Sequence, residues 1–173
     1  CLVGSEMCIR DRNNSIKRIL FASTFAVYGD NEVSIDTPVN EQKSCNPKSI
    51  YANSKYFCEN LLKNYAEPKG IYWNSLRMFN VFGPGMPRND YRVFPRFFSS
   101  IKDKKPITIF KKGNQTRTFC YVTDAITAMF IVTLIGKNFV YNIGNNKPEL
   151  NMNKLHKIME VSLKKKIKSV NIS

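Results

Sequence analysis

A chain of 173 residues with a hydrophobic fraction of 43% is long enough for one domain with its own core. Its 27 Lys and Arg against 13 Asp and Glu give a net charge of +14. The basic residues are scattered, Lys, Asn and Ile share A/T-rich codons, and there is no aromatic-basic RNA motif or helix-turn-helix pattern, so no nucleic-acid partner is expected. No apolar run suits a bilayer span and no signal peptide is read, so the expected setting is the cytoplasm, with no membrane partner.

In chain order, residues 1–12 read CLVGSEMCIRDR. This matches the conceptual translation of a transposase adapter used in short-read library preparation. The segment is expected to be an artefact, with native sequence starting near Asn13. Ile16–Ala22 has the short, bounded apolar character of a buried strand, with Ser23-Thr24 at its carboxyl end. Gly29-Asp30-Asn31 reads as a turn, and Asp36–Lys48, with Pro38 and Pro47, as a loop. Asn46-Pro47 is expected to cap a helix running from about Lys48 to Tyr65, ended by Pro68-Lys69-Gly70. The apolar residues of that helix, Ile50, Phe57, Leu61 and Leu62, fit helical spacing only roughly.

Tyr72–Met78 reads as a second buried strand, and Phe79–Arg88 as a loop. A helix is expected over Val93–Ile101, a strand over Pro106–Phe110 and a turn at Lys112-Gly113-Asn114. Thr123–Ile135 reads as a helix, Val140–Ile143 as a strand and Met152–Leu163 as an amphipathic helix. Strands alternating with helices imply an α/β fold with a parallel sheet, whose ligands lie beyond the carboxyl ends of the strands. Ser23-Thr24 and Phe79-Asn80 fall there. The five cysteines (Cys1, Cys8, Cys45, Cys58, Cys120) have neither disulfide nor zinc spacing, so no metal site is expected. Cys58 and Cys120 read as small core residues, and the lone His156 as packed or solvated.

The chemistry-bearing feature is Tyr51 and Lys55, four residues apart and so on one face of the helix. A free phenol is a poor base at neutral pH, and a neighbouring ammonium favours its ionised form. Thr24, 27 positions before Tyr51, offers a hydroxyl that can hold and relay a substrate proton. Four further segments accompany the pair: FASTFAVYG (21–29), LRMFNVFGP (76–84), QTRTFCYVTD (115–124) and YNIGN (141–145).

In this order, these segments resemble the extended short-chain dehydrogenase family of NAD-dependent nucleotide-sugar enzymes. The resemblance implies the carboxyl-terminal half of a Rossmann-type parallel sheet over 13–85. It implies a partial, smaller nucleotide-sugar-binding region over 86–173, which also holds returning Rossmann elements. It implies NAD as cofactor, with Thr24, Tyr51 and Lys55 as the catalytic set and Ser23, Tyr51, Lys55 and Phe79 lying against the cofactor. Asn80, Arg92, Val93 and Arg117 are the implied substrate residues, Arg117 gripping the diphosphate with its planar guanidinium. Asp124 is implied to be structural. Family members are commonly dimers through the helix that bears the Tyr-Lys pair.

Oxidation at the sugar C4 is the implied shared step, and the two residues after Thr24 discriminate between the later ones. Dehydratases of the family carry Asp-Glu after the threonine, and UDP-glucuronate decarboxylases carry Glu in the second position. Phe25-Ala26 can move no proton, which favours a UDP-sugar 4-epimerase and disfavours 4,6-dehydration of an NDP-glucose. The stretch from Gly83 to Arg117 instead resembles the decarboxylases. The Gly-x-x-Gly-x-x-Gly phosphate turn is absent from the sequence, so this chain alone is expected to bind NAD poorly and to be inactive. The non-enzyme readings are a catalytically dead fragment and a basic nucleic-acid-binding module.

Overall fold

The computed structural model describes residues 16–29 and 38–172. The segment 1–12, Asp30-Asn31 of the expected turn and the first two residues of the expected 36–48 loop lie outside them. In chain order the elements are β1 Arg18–Thr24, α1 Ile50–Ala66, β2 Tyr72–Met78, β3 Val81–Phe82, α2 Val93–Lys102 and β4 Ile107–Phe110. There follow β5 Thr116–Arg117, β6 Cys120–Tyr121, α3 Val122–Ile135, β7 Phe139–Ile143, β8 Leu150–Asn151, α4 Met152–Leu163 and β9 Ser169–Ile172.

Two compact units share the chain: residues up to Phe79 with Thr123–Ile143, and Asn80–Val122 with Gly144–Ser173. The units part at Phe79/Asn80, and β3, which pairs with β6, belongs with the second.

In the first unit, β1, β2 and β7 form a three-stranded sheet in that order, parallel throughout. β1 lies two residues later than expected because it pairs in full register with β2, from Arg18 opposite Tyr72 to Thr24 opposite Met78. Thr24 then caps a 3₁₀ turn at Phe25–Tyr28, which closes at Gly29. Glycine is required at this position, since φ is +75° and a Cβ would meet the Asn46 carbonyl oxygen at 2.0 Å.

α1 begins at Ile50 and not at the expected Asn46-Pro47 cap. Ser49 is the cap, its hydroxyl accepting the Ala52 N–H at 3.1 Å. The Asn46 N–H is already committed to the Val27 carbonyl at 3.0 Å. Gly70, left-handed at φ +64°, ends the 3₁₀ turn that follows the helix. The buried residues of α1 are Ala52, Glu59, Leu62 and Ala66. Leu62 and Ala66 pack with Trp73, Ile19, Phe21 and Val140 on the sheet. Burying a side chain such as Leu62 contributes about 1.5–3 kcal/mol. Ile50 and Phe57 point to solvent instead, 91% and 66% exposed. The helical period was blurred because a glutamate, Glu59, takes a core position.

In the second unit, β4 pairs in parallel with β9, β3 in parallel with β6, and β5 antiparallel with β8. Its core gathers Phe97 of α2, Ile107 and Ile109 of β4, Met152, Leu155 and Met159 of α4, and Ile167.

Candidate functional site

The first unit brings Thr24, Lys55 and Tyr51 to the carboxyl edge of its sheet. β1 ends at Thr24, opposite Met78, the last residue of β2. The next residue, Phe79, donates its N–H to the carbonyl of Ile143, the last of β7, at 2.9 Å. Thr24 is buried, and its Oγ1 accepts the Ala26 N–H at 3.3 Å, which leaves the hydroxyl proton to donate elsewhere. Lys55 donates from Nζ to the Ala22 carbonyl at 2.9 Å. The same ammonium lies 4.9 Å from the Phe21 ring centroid and 5.9 Å from that of Tyr51. The charge on α1 is therefore tied to the strand that carries Thr24, with the Tyr51 ring one turn before it. Tyr51 itself is 57% exposed. Phe25 stacks on Phe79, with centroids 5.2 Å apart and planes at 24°, an apolar wall beside Thr24.

Ser23 faces elsewhere. It is buried, and its hydroxyl donates to the Glu59 carboxylate. Glu59 is also gripped by Arg77 of β2: Nη2 to Oε2 at 2.7 Å, Nε to Oε1 at 3.1 Å and Nε to Oε2 at 3.2 Å. All three side chains are buried. The Arg77 guanidinium also lies over the Tyr28 ring, 4.7 Å from its centroid. Burial opposes its charge, but hydrogen bonds to Glu59 and Tyr28 and the attraction of Glu59 more than offset this, so its pKa is raised. Tyr28 donates to Asn142 Oδ1 at 2.7 Å, and burial raises its phenol above the ordinary range although Arg77 pulls the other way. The Cys45 thiol is likewise pushed up by burial, against the pull of Arg77.

Sequence reasoning missed this network. Its legible signals were an arginine near the end of an otherwise uncharged strand, and a glutamate four residues beyond Lys55 on the face of the reactive pair.

The second unit places Asn80, Arg92, Val93 and Arg117 around one pocket of about 260 Å³, with Tyr91 and Gln115. Asn80 is fixed by its Nδ2 donating to the Thr118 carbonyl at 3.1 Å. Arg92 stands at the start of α2, and its Nε donates to Asp90 Oδ2 at 2.9 Å. These bonds hold the Asp90 carboxyl below the usual range. Val93 is the first residue of α2. Arg117 lies on β5, registered against Leu150 of β8, and bonds the Thr116 carbonyl at 2.7 Å.

Asp124 sits in the first turn of α3, where a negative charge complements the helix dipole. His156 Nε2 lies 2.9 Å from the Ile167 carbonyl oxygen. Cys120 is buried in the second unit, as expected of a small core residue, and Cys58 is half-buried in α1. Among the described residues, no group of three His, Cys, Asp or Glu is placed to hold a metal, and no helix is long and apolar enough to cross a membrane.

A three-stranded parallel sheet whose strands are joined through helices is a Rossmann-type α/β arrangement. Comparison with known proteins agrees. The model of the NAD dependent epimerase/dehydratase family matches residues 6–144, and the chain belongs to that family. Among solved structures it is similar to UDP-N-acetylglucosamine 4-epimerase from Methanobrevibacter ruminantium M1, in complex with UDP-N-acetylmuramic acid. The identity is 33% and the TM-score 0.89, covering 98% of this chain and 54% of that one. It is 35% identical to UDP-glucuronic acid decarboxylase 6 of Arabidopsis thaliana over 131 residues, 74% of this chain and 38% of that protein. It is 29% identical to dTDP-D-glucose 4,6-dehydratase of Dictyostelium discoideum over 161 residues, 88% of this chain and 37% of that protein. The chain thus spans well under two thirds of the length of these relatives.

Proposed function

We propose that this chain carries the catalytic edge and substrate pocket of a cytoplasmic, NAD-dependent UDP-sugar 4-epimerase. The observation that carries the reading is the composition of the edge: Thr24, Tyr51 and Lys55 can move a proton, and the residues flanking Thr24 on its carboxyl side, Phe25 and Ala26, cannot. The donor set fits the nicotinamide end of NAD, with an ammonium and a hydroxyl at the carboxyl edge of a parallel sheet beside the stacked Phe25 and Phe79. NAD, when bound, supplies reversible oxidation and reduction at the sugar carbon. Lys55 and Phe79 are the residues to hold it, with Ser23 contributing through its backbone, since its hydroxyl is committed to Glu59.

Tyr51 takes the proton of the sugar 4-hydroxyl and later returns it to the same oxygen, once the 4-keto sugar has turned its other face for reduction. Thr24 holds that hydroxyl by a hydrogen bond. Lys55 stabilises the ionised phenol electrostatically. Asn80 and Arg117 grip the diphosphate, and Arg92 and Val93 line the nucleotide pocket. Relatives named as UDP-glucuronic acid decarboxylases support the second reading, loss of carbon dioxide from UDP-glucuronate, and a dehydratase comes third. The exposed apolar residues Ile50, Phe57 and Leu61 on α1 support a homodimer of the whole enzyme through this helix.

The test is product analysis with the full-length enzyme, offered UDP-glucose, UDP-N-acetylglucosamine and UDP-glucuronate. Appearance of the 4-epimer with no gas release is the expected result. Carbon dioxide from UDP-glucuronate would transfer the reading to the decarboxylase, and a 4-keto-6-deoxy product to the dehydratase. The 173-residue chain alone is expected to show no turnover.

A further inference from the structure

The reactive half of α1 is poorly supported by packing. Tyr51 and Ile50 are exposed, and the one fully buried residue near them, Ala52, offers only a methyl group. The apolar anchors, Leu62 and Ala66, lie about three to four turns further along. Between them stands Glu59, one turn past Lys55 and two past Tyr51, on the same face. Its carboxylate meets the Arg77 fork from β2 and the Ser23 hydroxyl from β1. Ser23 is the immediate neighbour of Thr24. A bidentate carboxylate–guanidinium pair fixes distance and direction together.

The surroundings of Arg77 extend this frame. Its guanidinium lies on the Tyr28 ring, and Tyr28 donates to Asn142 of β7, whose Nδ2 donates to the Val39 carbonyl at 2.9 Å. Thus α1, all three strands and the turn after β1 converge on one cluster, a helical turn past Lys55 and one residue before Thr24.

We propose that Glu59 is a positioning residue, which, clamped by Arg77 and Ser23, sets the axial register of α1 so that Lys55 and Tyr51 meet Thr24. The proposal rests on the catalytic reading above for its kinetic consequences and on geometry alone for its structural ones.

Removing Glu59 by itself would strand a buried guanidinium and report mainly on folding. The informative variant is the paired Glu59→Gln/Arg77→Met, which removes both charges, alongside Ser23→Ala, which removes one hydroxyl. In the complete enzyme, both are expected to keep the wild-type thermal midpoint within a few degrees and KM for the UDP-sugar within a few-fold. The kcat of the pair is expected to fall roughly 10- to 100-fold, as a reacting group displaced by about 1 Å would cause. Wild-type kcat in both variants would overturn the proposal and leave the cluster a purely structural pair. A second readout needs no turnover: competitive reductive methylation of the lysines, read by mass spectrometry. Freed from the register that holds it on the Ala22 carbonyl, Lys55 is expected to label several-fold faster in the paired variant, with the other lysines unchanged. Unchanged Lys55 labelling overturns the proposal even if the paired variant is inactive. Absence of sugar oxidation by the wild-type enzyme would instead sink the catalytic reading, and the labelling would still decide the register.

Discussion

The two groups of candidate residues are held in different ways. Those of the first unit stand at the ends of long regular elements: Thr24 closes a seven-residue strand, and Tyr51 and Lys55 open a seventeen-residue helix. Those of the second unit stand on short pieces: Arg117 on a two-residue strand, Asn80 just before another, Arg92 and Val93 at a helix start. The first arrangement suits a proton transfer, which fails when atoms move by an ångström. The second suits a ligand grip, where charge and reach matter more than exact placement. The comparison predicts that substitutions in the first group act on kcat and those in the second on KM.

Tyr51→Phe should show the largest effect. It removes one exposed hydroxyl, so folding is expected to be unchanged, while kcat falls about 10²- to 10⁴-fold, the usual worth of general acid–base catalysis. A variant retaining most of its kcat, by steady-state epimerisation, would break the comparison at its strongest point. Arg117→Ala is expected to raise KM for the UDP-sugar about 10- to 100-fold, roughly 1.4–2.8 kcal/mol, with kcat little changed. Arg117→Lys should recover only part of this, because an ammonium cannot make the bidentate contact. If kcat and not KM collapses, the second group takes part in the chemistry. Ser49→Ala is smaller. Losing the cap of α1 should cost about 0.5–2 kcal/mol, read by urea denaturation, and loosen the turn on which Tyr51 stands.

The same contrast explains what the sequence made legible. β2 and α4 lie where their hydrophobic patterns place them, and the parallel sheet follows from the alternation of elements. The two-residue strands β3, β5, β6 and β8 were invisible, since two residues have no period and each exists only because a distant segment pairs with it. Tyr51 and Lys55 were legible as a spaced pair. Glu59 and Arg77 were not singled out, because a charged residue read alone defaults to the surface. Their burial is tolerated only because the fold brings the two together from 18 positions apart.

The smallest effect concerns the rim of that buried cluster and tests whether it is as dry as the geometry implies. Tyr28 is 2% exposed, and burial raises its phenol above the ordinary value near 10. A phenol whose folded pKa is raised favours folding while it stays neutral. That contribution is fully present below about pH 10 and is lost as the pH climbs through the folded value. Stability of the chain should therefore fall on the alkaline side, by urea denaturation between about pH 8 and 11. Tyr28→Phe removes the ionising group. It should be less stable than wild type by about 0.5–1.5 kcal/mol near pH 8, through loss of the bond to Asn142, yet fall less steeply above pH 10. Cys45 has the same sign but is present in both chains, so the difference between them isolates Tyr28. Parallel alkaline limbs would mean that water reaches Tyr28. The guanidinium of Arg77 would then be less sequestered than its contacts indicate, and the rigid frame beneath Lys55 would be correspondingly weaker.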